Sequence, residues 1–412
     1  MFLLISFIFF SLEWNNFPWS DTFPCKKEIC LSKKDIIQKT TKNSLENKLK
    51  FESLYRSWQN IRIQWGRILP HINFDTIAGC GLAGFFVGNQ ADAATQLYSN
   101  FLGFLYPSRW FRWKESKMHY QAEKYSYFAI KAYSINIAEN IYYELQREIL
   151  NEKIMQHYLD IIQKIIAIAH YRFSIGLIPQ EEIISLNSKE QMLFSQLRNI
   201  QQNIQQHTYA LLAHMSYDPT IPWTNISIEL EDISVPNDQI DPNNFKDTVL
   251  LKSLDIKSFD FLYKASRYAF KAKKWDFISP MGDESMAIGF SRGAVLKTSN
   301  SYSATINLEK ENIKVKTIKS LYSITNYYNF SLLILKNTQS IFDNLQVMLR
   351  FYKQDFEDTK HLDLMNFLTL FQSMLEFDLL KNTIIHMSLI AKSNFRRLTL
   401  EGSDYDTITS IP

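Results

Sequence analysis

The chain has 412 residues, of which 46% are apolar, and a formal net charge of only +3. Glycine and proline are sparse at 11 each, which argues against an all-β protein, and no Lys/Arg block marks a nucleic-acid face. Phenylalanine (30) and tyrosine (21) are abundant, which suits a membrane-contacting or a strongly helix-packed protein.

The first stretch, Met1 to Leu12, is an apolar run too short to span a bilayer as a helix. It has the length of a secretory h-region, although no Lys or Arg precedes it and no small-x-small site follows. A buried N-terminal helix is the other reading. Pro24 makes Cys25 a poor lipidation site. Cys25 and Cys30 stand close enough in sequence for a small loop disulfide in an oxidising compartment, and inert thiols fit as well.

Leu31 to Leu69 reads as helical, with Ser32 as N-cap and Asp35 in the first turn, ending at Leu69-Pro70. The period then changes. Ile72, Phe74, Thr76, Ala78, Cys80 and Leu82 alternate with smaller or polar neighbours, which predicts a strand of barrel length. Gly88 to Asp92 is a turn, and Leu97 to Tyr106 is expected as the partner strand, although its spacing also fits a helix.

From Arg112 to Met215 the pattern specifies a very long helix, a tight turn and a helix running back. About 60 residues of outgoing helix would span roughly 90 Å. Its seam is Ile154, Tyr158, Ile161, Ile165 and Ile168. The return seam runs through Ile183, Leu186, Leu193, Leu197, Ile200, Ile204 and Leu211 at heptad steps. Glu190 breaks it at one a-type position, and His207 and His214 at d-type positions. In the turn, Gly176 suits a left-handed helix end and Pro179 a new helix start.

Asp218 to Lys246 holds four prolines with many Asn and Asp and reads as a linker. The pattern then recurs. Ser253-Leu254-Asp255 opens a helix ending at Ser279-Pro280, as Ser44-Leu45-Glu46 opens one ending at Leu69-Pro70. Tyr142-Tyr143 before Leu177 is matched by Tyr327-Tyr328 before Leu362, and Leu364 to Leu398 forms a second return helix. The expected division is 1–30 export segment, 31–218 first repeat, 219–250 linker, 251–402 second, degenerate repeat and 403–412 tail.

Chemistry-bearing motifs are few. Gly289-Phe290-Ser291-Arg292-Gly293 matches the G-x-S-x-G nucleophile elbow, but no alternating β/α pattern surrounds it, so a serine hydrolase acting through Ser291 is a remote alternative. His157, His170, His207 and His214 are scattered; the last two, seven residues apart, are too distant for one metal unaided. Asp404 and Asp406 read as a frayed acidic tail. No phosphate loop, CxxC pair or HExxH is present, so no enzyme, cofactor or metal is expected.

This layout resembles the TolC-type outer-membrane efflux protein family. Leu31 to Ile37 resembles its opening helix, and Arg67-Ile68-Leu69-Pro70 its passage into the barrel. Tyr171-Arg172-Phe173-Ser174-Ile175-Gly176-Leu177 is similar to the family's helix-hairpin turn; the second turn, Asp358 to Leu364, has no glycine. The second strand pair is too short for two spans of about ten residues each.

The resemblance implies a mainly α protein with a small β part. Long antiparallel helical hairpins would form an α-barrel, and a few strands per chain would join a shared trimeric outer-membrane β-barrel. It implies a homotrimer in the outer membrane of a Gram-negative cell, with a periplasmic helical part. It also implies a passive exit duct of a tripartite efflux pump or type I secretion system. Arg172, Gly176 and Leu177 would be the tip that docks a periplasmic adaptor and, through it, an inner-membrane pump. The rival reading is a soluble or periplasmic coiled-coil scaffold with a plain hairpin turn at Gly176.

Overall fold

The computed structural model describes residues 29–69, 103–176, 178–217, 222, 226–230, 238–276, 291–359, 364–406 and 408. The expected strands at Ile72–Leu82, the turn at Gly88–Asp92, the N-terminal apolar run and Cys25 lie outside these residues.

Strand β1 (Ile29–Leu31) leads into α1 (Lys33–Asn43). Ser32 caps α1 as expected: its hydroxyl accepts from the Asp35 N–H at 3.2 Å, and Asp35 returns a bond to the Ser32 N–H at 3.2 Å. The single helix expected over Leu31–Leu69 is broken at Ser44, whose extended ψ of 125° ends α1. Asn47 bonds the Thr40 carbonyl across the break, and α2 (Leu45–Gly66) restarts immediately.

Gly103–Leu105 forms a 3₁₀ turn, not the strand expected there. Trp110 Nε1 donates to the Phe104 carbonyl at 2.7 Å, folding that segment onto the helix that follows. That helix, α3 (Pro107–Ser174), starts five residues before Arg112 because Pro107 at its first position supplies a preset φ. Its 68 residues span about 100 Å. The return helix is α4 (Gln180–His214).

The linker is not free. Its strand β2 (Ile226–Ile228) pairs in parallel with β1, Ile29 opposite Ile226 and Leu31 opposite Ile228. A 3₁₀ turn (Pro242–Phe245) and a short α5 (Lys246–Lys252) follow. Then come α6 (Leu254–Trp275), α7 (Ser291–Thr359) and α8 (Leu364–Thr399). The last element is α9 (Ser403–Asp406). The acidic tail is not frayed: Tyr405 and Ile408 are buried, because they close the lower end of the core around Ile37, Leu54 and Phe128.

Helix α3 is the central spar and packs against α1, α2, α4, α6 and α8. That explains its burial pattern. Of its expected seam, Tyr158 is buried while Ile154, Ile161 and Ile165 are half-buried; Met155, Leu159, Ile162 and Ala169 are buried instead. A helix contacted by α4 on one side and α8 on another needs an apolar face wider than a two-helix seam. On α4 the expected positions Ile183, Leu186, Leu193, Ile204 and Leu211 are buried, and Leu197 and Ile200 are half-buried. Each such leucine contributes about 1.5–3 kcal/mol relative to exposure. Tyr142, fully buried, anchors the middle: it packs with Leu31, Ile36, Leu211 and Met215, and its hydroxyl donates to the Glu229 carbonyl at 2.6 Å.

Among the described residues no helix is long and apolar enough to cross a membrane.

Candidate functional site

The hairpin tip is built by the last turn of α3 and the first of α4. Ile175 ends α3 near ψ 8°, and Gly176 follows at φ +75°. Its N–H donates to the Phe173 carbonyl at 2.9 Å, and the Ser174 hydroxyl donates to the Tyr171 carbonyl at 2.6 Å. These bonds use up carbonyls that a helix end otherwise leaves unpaired. A Cβ added at Gly176 would meet nothing within 4 Å, so the glycine answers a backbone requirement and not a lack of space. Pro179, extended at ψ 158°, opens α4, and Glu181 and Glu182 complement its positive N-terminus.

The tip exposes apolar side chains beside its polar and acidic ones. Tyr171, Phe173, Ile175 and Ile184 are exposed. Beneath them Ala169, Ile183 and Leu186 are buried, so the tip stands on a packed base. Arg172 lies in the last turn of α3, and Leu177 falls outside the described residues.

The base is tied to α8. The Tyr158 ring packs against Phe371 at a tilt of 59° with centroids 5.0 Å apart, and its hydroxyl donates to Asp378 Oδ2 at 2.8 Å. Burial and the neighbouring carboxylate push the Tyr158 phenol above its ordinary range, so it stays a neutral donor. Lys189 bonds Gln372 across α4 and α8. Glu190, the polar break in the α4 seam, accepts from Gln163 at 3.0 Å.

The seam histidines have structural partners. His207 Nδ1 lies 3.4 Å from Glu144 Oε2, and His214 Nε2 donates to the Ser134 carbonyl at 2.9 Å. Among the described residues no group of three His, Cys, Asp or Glu could hold a metal.

Ser291 opens α7. Arg292 bonds the Lys274 carbonyl at 3.1 Å, and Asp276 pairs with Arg112 at 2.8 Å, so this point lies at the start of α3. His386 sits beside Asn382, which bonds Arg147 and Asn151 of α3. Thirty-five residues of helix, about 50 Å, separate Arg112 from Arg147. Ser291 and His386 are therefore not brought together as a nucleophile and base would be.

Sequence reasoning missed a buried polar hub. The Glu139 side chain is fully buried on α3, with Lys33 Nζ at 3.4 Å and Arg396 Nη1 at 4.0 Å. Ser393 of α8 donates to Glu139 Oε2 at 2.6 Å, and Asn136 donates to that serine at 2.9 Å. Lys33 also donates to the Tyr143 hydroxyl at 2.7 Å. The hub joins α1, α3 and α8. Its only signal in the sequence is a glutamate among apolar neighbours in Ile135-Asn136-Ile137-Ala138-Glu139.

No family model matches the chain, and neither does any curated protein. Solved structures do. The chain is similar to the CmeC outer membrane channel of Campylobacter jejuni, with a TM-score of 0.70, 14% identity, and 89% of this chain and 85% of that one covered. It is similar to a membrane protein from Pseudomonas aeruginosa at a TM-score of 0.73 and 12% identity, covering 92% and 95%. It is similar also to the outer membrane protein VceC of Vibrio cholerae at a TM-score of 0.70 and 11% identity, covering 89% and 95%. At such identities the likeness is one of fold, and it agrees with the hairpin layout that carries the sequence resemblance. The chain has the fold of the TolC-type outer-membrane efflux channels.

Proposed function

We propose that the chain is the outer-membrane channel of an efflux system, a passive duct that works as a homotrimer. The observation that carries this reading is the likeness, over about nine-tenths of the chain, to proteins described as outer-membrane channels. The helix lengths support a tandem repeat: 22 and 22 residues for α2 and α6, 68 and 69 for α3 and α7, 35 and 36 for α4 and α8. In this reading residues 31–218 and 251–402 are the two repeats, and 219–250 is the linker. The strand expected at Ile72–Leu82 joins a shared β-barrel in the same reading.

Helix α7 carries the reading to the oligomer. Tyr327, Ile341 and Met348 fall on one heptad position and Phe330 and Phe351 on another, and all are exposed. An apolar stripe at coiled-coil spacing on the outside of one chain is suited to burial against a neighbouring copy. The tip, with Arg172, Gly176 and Leu177, is the adaptor-docking point in this reading. A tripartite pump and a type I secretion system are both compatible with it.

Membrane fractionation tests the reading at the first level: the protein is expected in the outer-membrane fraction as a crosslinkable trimer. Reconstitution in planar bilayers is expected to give stepwise conductance. Recovery as a soluble monomer without conductance would instead favour the coiled-coil scaffold.

A further inference from the structure

Every described tryptophan, Trp58, Trp65, Trp110, Trp113 and Trp275, lies at one end of the helical bundle. The Trp65 ring is 6.0 Å from Trp110 and 5.1 Å from Trp113, which sets the end of α2 beside the start of α3. The Arg112–Asp276 pair adds the end of α6, and the Arg292–Lys274 bond adds the start of α7. Residues 70–102 and 277–290 leave and rejoin the helices at this same end.

The charge of this end sets it apart. Residues 58–69, 103–118, 268–276 and 291–297 hold eleven Lys and Arg against two acids, Glu115 and Asp276. The whole chain is only +3, so everything else is net acidic. Several cations lie over aromatic faces. The Lys117 ammonium is 3.6 Å from the Trp113 ring centre, and the Arg62 guanidinium is 4.1 Å from that of Trp58. Exposed aliphatic residues accompany them, Ile63, Leu69 and Leu105. Between α2, α3 and α6 opens a cavity of about 330 Å³ whose lining includes Asn60, Gln64, Arg112, His119 and Lys273, with Glu115 and Asp276 as its acids.

Each component matches one layer of a bilayer surface. Indole rings favour the headgroup level, where one edge is wet and the face is apolar. Lysine and arginine favour an anionic leaflet, and long cationic stems cover apolar surface while keeping the charge in water. An aqueous surface offers no such return for grouped tryptophans beside exposed isoleucine and leucine.

We infer that this end of the bundle is a collar that seats on a bilayer and binds anionic glycerophospholipid headgroups. The inference rests on the proposal that the adjoining segments enter the membrane, and it adds a ligand class and a surface to it. The basic rim fixes the depth at which the helices stop and recruits acidic lipid to the leaflet they face.

Native mass spectrometry of the full chain in a neutral detergent tests this, with phosphatidylglycerol and phosphatidylcholine as probes. Phosphatidylglycerol is expected to be retained in preference. Lys271, Lys273 and Lys274 are exposed on α6, so changing all three to Gln leaves the fold intact. Since a basic residue near an anionic leaflet is worth about fivefold in binding, the triple variant should lose about a hundredfold. Lys316→Gln with Lys319→Gln, exposed farther along α7, should lose nothing. Equal retention of the two lipids, equal loss in both variants, or displacement of phosphatidylglycerol by inorganic phosphate would overturn the collar. Binding in micelles does not depend on conductance. A chain that conducts without lipid preference overturns the collar alone, whereas one that prefers phosphatidylglycerol but neither inserts nor conducts overturns the duct.

Discussion

Ser393 donates a 2.6 Å hydrogen bond to the buried carboxylate of Glu139, joining α8 to α3 across more than 250 residues of sequence. Two cations, Lys33 and Arg396, stand around the same carboxylate. Glu139→Leu would leave them without their counter-charge and is expected to cost about 3 kcal/mol, because removing one member of a buried pair strands the other. Glu139→Gln can still accept from Ser393 and should cost less, and Ser393→Ala about 1 kcal/mol. Thermal unfolding of the three variants checks the order.

Gly176 has positive φ and open space around its Cα. Gly176→Val is expected to strain the tip locally by about 1–2 kcal/mol, with no clash to relieve elsewhere. The global melting temperature should stay near wild type while crosslinking to a periplasmic adaptor falls. Arg172→Glu should lower crosslinking in the same way. Wild-type crosslinking in both variants would reduce the turn to a helix connector.

His386 is fully buried on α8, with Nδ1 donating to the Asn382 carbonyl at 2.8 Å and Nε2 unpartnered. Burial pushes its pKa below the ordinary 6.5; the Asn382 carbonyl and Glu148 partly offset this, and Arg147 adds to it. The unfolded chain therefore binds the proton more readily than the folded one. The resulting stability is fully present above about pH 6.5 and is lost as pH falls through that value toward the folded pKa. A plot of melting temperature against pH should be shallower over this window for His386→Leu than for the parent, whatever the variant's absolute stability.

The exposed stripe of α7 gives an oligomer test. Phe330→Glu together with Ile341→Glu should leave the helix content unchanged, since both side chains are exposed in the single chain. Sedimentation should show dissociation of the trimer, because a charge on an apolar seam is desolvated without a partner. A variant that stays trimeric would place the inter-copy seam elsewhere.

The sequence is most legible where period and turn chemistry act locally. The α4 seam, the Ser32 capping box and the left-handed Gly176 all depend on residues within a few positions of one another. What depends on distant partners is not legible. Glu139 looks like a surface residue until Lys33 and Ser393 come to it from far along the chain. The outgoing seam is displaced toward Met155 and Ile162 because α8, absent from any local window, covers a second face of α3. Gly103–Leu105 has apolar spacing suited to both strand and helix, and a tryptophan six residues on decides it. The acidic tail looks frayed by charge, yet one tyrosine finds a buried site. At the tip, Gly176 could be identified by its backbone role, whereas nothing local could tell what meets the exposed Tyr171 and Phe173.

The parallel pairing of β1 with β2 has a consequence for the order in which the molecule matures. Ile29 meets Ile226, so the strand closing the start of the chain waits for a partner made nearly 200 residues later. Loop closure over that distance brings an entropic cost before either strand gains from it. The α3–α4 hairpin, held by contacts between adjacent elements, can form well before then. The N-terminal segment is thus the late piece of the first half. Hydrogen-exchange labelling during refolding should find the amides of Leu31 and Glu229 protected after those of Leu186 and Leu193.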